Sequence, residues 1–129
     1  MEVTAKPLDG VRFAATARGH TIVSDQPADN GGADTGMTPP ELLLASLATC
    51  GAYYAAQYLK TRGIGVDGLE VKVTAEKAKQ PARLSAFQID VVTGVSIDER
   101  HREGLLRAVK LCVVHNTLEH APAIRIAIH

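Results

Sequence analysis

Apolar and polar side chains alternate at both ends of the chain and take a helical rhythm between them. Val11, Phe13, Ala15 and Ala17 interleave with Arg12, Ala14, Thr16 and Arg18, the period-two mark of a strand. Asp9-Gly10 ahead of that run reads as a hairpin turn. Gly19 breaks into a second short run, His20 to Ser24, so residues 2–25 are expected to form two or three antiparallel strands. Residues 26–40, rich in glycine and proline, can sustain neither helix nor strand. A loop that long inside a compact domain often has a function of its own.

The strongest element spans residues 41–62. Thr38 followed three places later by Glu41 matches a capping box, with Pro39 and Pro40 in the first turn. From Leu42 to Leu59 no side chain is charged, and leucine and alanine cover every face. A helix that is apolar all round is buried all round. One sheet of a small chain covers only one side of it, so a second chain is expected to cover the rest. Lys60, Arg62 and Gly63 form the expected stop.

Residues 69–76 alternate again, with Leu69, Val71, Val73 and Ala75 inward. Residues 86–93 do the same through Phe87, Ile89 and Val91, and the polar stretch Lys77 to Arg83 reads as the loop between them. Ser96-Ile97-Asp98-Glu99 is a second capping box, opening a helix with a Leu105, Leu106, Val109 stripe. Leu111 to Leu118 continues or restarts that helix, and Pro122 stops it. Ile124, Ile126 and Ile128 alternate as a final strand. Hairpins segregated from helices make the fold class α+β, with residues 1–129 as a single domain.

Composition narrows the function. The 129 residues carry 14 basic and 14 acidic side chains, a net charge of zero, which removes the usual footprint of a nucleic-acid binder. No apolar run reaches the roughly 18–20 residues of a membrane helix. The first residues lack a signal-peptide layout, so a cytoplasmic chain is expected. In that compartment Cys50 and Cys112 are expected to be free or redox-active rather than a structural staple. Two sulfurs cannot make a four-sulfur zinc site, and Cys112-x-x-His115 lacks the further ligands a metal needs. No metal or cofactor is therefore expected.

Cys50 lies among small residues, Ala48-Thr49-Cys50-Gly51-Ala52, where a ligand or another backbone can come close. Cys112 lies at or near a helix restart, where the dipole favours a thiolate. Each taken alone reads first as a buried small hydrophobe. Taken as a pair on two different helices they can form a dithiol centre. A peroxide-reducing dithiol needs one thiolate to attack the O–O bond and a second thiol to condense with the resulting sulfenic acid. A cation, usually Arg, must activate the first thiol, and a carboxylate can hold that Arg.

The run from Gly36 to Cys50, Gly-Met-Thr-Pro-Pro-Glu-Leu-Leu-Leu-Ala-Ser-Leu-Ala-Thr-Cys, resembles the helix entry of the OsmC/Ohr family of hydroperoxide reductases. Leu111-Cys112-Val113-Val114-His115-Asn116-Thr117-Leu118 resembles that family's second-cysteine signature. The resemblance implies an α+β OsmC-like fold with antiparallel sheets and a long buried central helix. It implies an intertwined homodimer with sites at the subunit interface. It also implies Cys50 as the peroxidatic residue, Cys112 as the resolving residue, an organic hydroperoxide as substrate and a lipoyl-type dithiol as reductant.

Two positions depart from the family. Its Arg-binding Glu usually stands ten residues before the peroxidatic Cys, where this chain has Pro40, with Glu41 one place later. At about 100° and 1.5 Å per residue, Glu41 falls on the opposite side of the helix from Cys50 and roughly 13 Å along it. Glu41 can therefore act through an Arg, across a dimer, or only as a first-turn carboxylate. Residues 26–40 contain no Arg, so Arg12 is the candidate cation, with Arg18 on the same strand face in reserve. Three readings stay open: a Cys-based thiol peroxidase, a small-molecule binding or redox-sensing dimer of the same fold, and a structural dimer with inert thiols.

Overall fold

A computed structural model describes residues 1–129. The chain forms two compact units, residues 1–43 and 44–129.

The first unit is a three-stranded antiparallel sheet followed by a structured loop. Strands β1 (Thr4–Pro7), β2 (Phe13–Ala17) and β3 (His20–Ser24) pair in that order. The β1–β2 hairpin turns at Asp9-Gly10, where Leu8 N–H donates to the Arg12 carbonyl. β2 is shorter than the alternating run because turn chemistry takes both of its ends. Arg18 and Gly19 have φ of 51° and 82°, the two left-handed positions of a tight hairpin turn. Arg12 and Arg18 therefore flank the strand at opposite ends and do not share one of its faces.

The long loop is organised around Asp25, which is 1% exposed. Its carboxylate accepts from Gln26 N–H (2.8 Å), Ala33 N–H (3.3 Å), Thr35 N–H (2.9 Å) and the Thr35 hydroxyl (2.7 Å). Gly32 lies against the Gln26 carbonyl, where a Cβ has no room. These donors, Thr35 foremost, lower the Asp25 pKa to about 2, while burial opposes the shift. A lowered carboxylate stabilises the fold above its ordinary pKa of about 3.9 and loses that contribution as pH falls. Titration of the Thr35 amide by NMR is therefore expected to show a midpoint near 2. A midpoint in the ordinary carboxylate range would show that the cage does not hold in solution.

Helix α1 (Pro39–Thr61) opens on the predicted capping box. Glu41 Oε2 accepts from Thr38 N–H at 2.7 Å and from the Thr38 hydroxyl at 2.9 Å. Gly63, with φ of 68°, follows its end.

The second unit holds the hydrophobic core. Helix α1 buries one stripe, Leu47, Gly51, Ala55, Tyr58 and Leu59, and leaves Leu43 and Tyr53 exposed. Strands β4 (Glu70–Lys79) and β5 (Ala82–Val92) form an antiparallel hairpin. Both run further than the polarity of Lys77 to Arg83 predicts, because polar side chains on an exposed hairpin tip cost nothing and only Gln80-Pro81 turns. Helix α2 (Glu99–Val109) is capped by Asp98, which accepts from His101 N–H at 2.8 Å, rather than by Ser96. Leu105 and Val109 pack it against Ala55, Tyr58 and Leu59. Tyr58 runs over Gly104, fills the space a Cβ would need and reaches His101 Nδ1 at 3.3 Å.

Helix α3 (Val113–Glu119) restarts the chain after a break at Cys112. It ends before Pro122, where the His120 N–H bonds to the Asn116 carbonyl. Residues 121–129 form no strand within the chain, contrary to the alternation of Ile124, Ile126 and Ile128. A strand needs a neighbour for its backbone groups, and this chain supplies none there.

Candidate functional site

The fold brings the two cysteines together. Cys50 lies in the middle of α1, one residue before Gly51 on the buried stripe. Cys112 is the N-cap residue of α3, where its sulfur accepts from His115 N–H at 3.4 Å. Both are free thiols, and Cys112 is 1% exposed. The Cys50 thiol is a close neighbour of Cys112 and affects its acidity. Burial first, and the neighbouring Cys50 thiol second, push the Cys112 pKa up, against the weaker pull of the His115 N–H. The helix-end effect expected for Cys112 is therefore outweighed by burial. Cys112 therefore holds its proton more tightly than an ordinary thiol.

A cavity of about 1110 Å³ lies in the same unit. Leu84, Phe87 and Ile89 of β5 and Leu105 and Val109 of α2 line it. Leu47, one turn before Cys50, and His115, one turn after Cys112, also face it. Its largely apolar wall, which includes neither sulfur, can hold an apolar molecule. Arg83, Arg102 and Lys110 add cationic groups to its lining.

The other two candidates belong to the first unit. Arg12 pairs with Asp9 at 3.1 Å in the β1–β2 turn, and its Nε is buried without a hydrogen-bond partner. Glu41 caps the start of α1. No group of three His, Cys, Asp or Glu side chains is placed to hold a metal ion. No helix is long and apolar enough to cross a membrane.

Sequence reasoning passed over Asp25 and the cavity. An Asp between a strand end and a Gly-rich stretch is a signal for a side chain that accepts several loop N–H groups. The cavity had no comparable signal, since it is made by elements far apart in sequence.

Residues 31–127 match the OsmC-like protein family. The chain belongs to that family. The OsmC-like fold also appears in solved structures that it resembles. A Psychrobacter arcticus 273-4 protein assigned to osmotic stress induction and detoxification response superposes with a TM-score of 0.80 at 23% identity, over 89% of this chain and 85% of that one. An OsmC-like protein from Mycoplasma pneumoniae gives 0.75 at 23% identity, over 93% and 87%. An organic hydroperoxide resistance protein OsmC from Legionella pneumophila gives 0.64 at 17% identity, over 92% and 89%. At these identities the likeness carries the fold alone. No curated protein matches the sequence.

Proposed function

We propose that this OsmC-like protein is a Cys-based thiol peroxidase that reduces organic hydroperoxides. The observation that carries the reading is the proximity of two free thiols on separate helices, Cys50 within α1 and Cys112 at the start of α3. Cys50 is the nucleophile in this reading, because Cys112 is the more deeply buried thiol and burial holds its proton. Its thiolate attacks the distal oxygen of ROOH, the O–O bond breaks, and the alkoxide leaves as ROH after taking a proton. Cys50 is then a sulfenic acid. Cys112 attacks its sulfur, water leaves, and a Cys50–Cys112 disulfide results. A lipoyl-type dithiol restores both thiols by exchange.

The adjacent apolar cavity supports an organic peroxide over hydrogen peroxide, since it offers hydrocarbon contact. In this reading Arg12 steers the peroxide oxygen by trading its contact with Asp9, and Glu41 is the carboxylate that holds the Arg. The assembly is a homodimer formed from one domain per chain, and the exposed Leu43 and Tyr53 on α1 are part of what it covers. No metal or bound cofactor takes part.

The test is Cys112→Ser with several equivalents of cumene hydroperoxide and dihydrolipoamide as reductant. The variant is expected to turn over once and stop, with Cys50 trapped as a sulfenic acid that dimedone labels. Continued turnover, or oxidation at a residue other than Cys50, would overturn the assignment.

A further inference from the structure

We propose that Tyr53 and Tyr54 determine which hydroperoxides react at Cys50, by packing their rings against the organic group next to the O–O bond. This rests on the reading above, in which Cys50 is the nucleophile.

All three residues lie within α1. Tyr53 and Tyr54 stand three and four places after Cys50, the two spacings at which helical side chains are neighbours, with about 5–6 Å between Cβ atoms. Long side chains on a helix lean toward its N-terminus, over the turn before their own. For Tyr53 and Tyr54 that turn carries Cys50. The two rings meet edge to face, with centroids 5.3 Å apart and planes at 89°. Consecutive side chains leave a helix about 100° apart, so rings that meet must both turn in toward the line between them. By the same geometry Cys50 lies roughly 60° from Tyr53 and roughly 40° from Tyr54, close to that line and one turn nearer the N-terminus.

The third tyrosine of α1 is used differently. Tyr58 commits its ring to the core and its hydroxyl to His101. Tyr53 is 59% exposed, and Tyr54 and Cys50 are half-buried. The pair therefore stands on the side of α1 from which Cys50 is open, whereas the cavity takes Leu47 from this helix. In the proposed dimer the second copy lies over Tyr53 and turns the open face into a slot.

The reaction gives the rings their task. In-line attack by Cys50 puts the leaving oxygen beyond the distal oxygen, and the carbon it carries one bond further on. That carbon is too near the sulfur to be read by a wall that does not include the sulfur. Aromatic rings one turn from Cys50 are in reach of it. They offer hydrocarbon and edge-to-face contact to an aryl or branched alkyl group, and nothing comparable to hydrogen peroxide. The substrate class assigned to the site is thus an arylalkyl or branched alkyl hydroperoxide.

The experiment measures kcat/KM for cumene hydroperoxide and for hydrogen peroxide with dihydrolipoamide as reductant. In Tyr53→Ala and in Tyr54→Ala the ratio of the two is expected to fall about 10-fold or more, the order of effect of losing apolar contact with one ring. Tyr53→Phe and Tyr54→Phe are expected to keep the wild-type ratio, since the ring and not the hydroxyl makes the contact. Light scattering and thermal melting follow the assembly and the fold. Where an alanine variant fails to fold or changes its assembly, leucine replaces it at the same position. The preference for cumene over tert-butyl hydroperoxide is then expected to fall several-fold, because the aromatic contact alone is lost. An unchanged ratio at either position overturns the proposal, as does a phenylalanine variant as impaired as the alanine one. A wild-type protein that reduces neither peroxide is a different failure, and it would remove the peroxidase reading itself.

Discussion

Cys50→Ser is expected to lower hydroperoxide turnover to the uncatalysed rate. A serine hydroxyl at neutral pH carries almost no anion and does not attack the O–O bond, whereas a thiol of ordinary acidity already presents a few per cent thiolate. The rest of the site survives the change, because serine is close to cysteine in size and Cys50 sits among small residues on α1. Cys112 keeps a small polar neighbour, a hydroxyl in place of the sulfur. A dihydrolipoamide-coupled assay with cumene hydroperoxide measures the loss, and thermal melting checks that the fold is kept. Full activity in a folded Cys50→Ser protein would exclude the thiol mechanism. It would leave the binding-dimer reading, for which the cavity would still serve as a ligand site.

The parts of this fold that show in the sequence are those that local chemistry controls. Thr38 and Glu41 form the capping box their spacing predicts, and the inward set Val71, Val73, Ile89 and Val91 follows period two. The failures occur where polarity was taken for structure or where a neighbour was needed. Lys77 and Arg83 lie on strands, opposite Leu84 and Ala78, in an exposed hairpin that tolerates charge as readily as a loop does. Arg12 and Arg18 lost their shared face to the turns on either side of β2. For the site, the sequence could name the two sulfurs but not their contact, since Cys50 and Cys112 are brought together only by the packing of α1 and α2 through Leu59 and Leu105. Asp25 stayed hidden because its partners are backbone N–H groups, which no residue pattern displays.

Substituting Ile124, Ile126 and Ile128 together by Asp is expected to turn the proposed dimer into a monomer of much lower melting temperature. Their exposures of 83%, 88% and 95% leave almost their whole side chains in water. Burying an isoleucine is worth about 1.5–3 kcal/mol, so three of them are worth roughly 5–9 kcal/mol. That is comparable to the whole stability of an ordinary domain, about 5–15 kcal/mol. Arg125, Ala127 and His129 occupy the alternate positions, so one edge of the segment is apolar and the other is not. Such a segment is built to lie on a hydrophobic surface while its backbone pairs with another strand. Within the chain it pairs with none. A second copy offers the same exposed apolar faces, among them Leu43 and Tyr53 of α1 and Ile22 of β3, and a two-fold arrangement buries each segment once. Size-exclusion chromatography with light scattering reads the assembly, and differential scanning calorimetry reads the stability. A triple variant that stays dimeric with an unchanged melting temperature would mean that this segment is free in the assembly. The proposed dimer would then have to be held by other exposed apolar residues, Leu43 and Tyr53 of α1 among them.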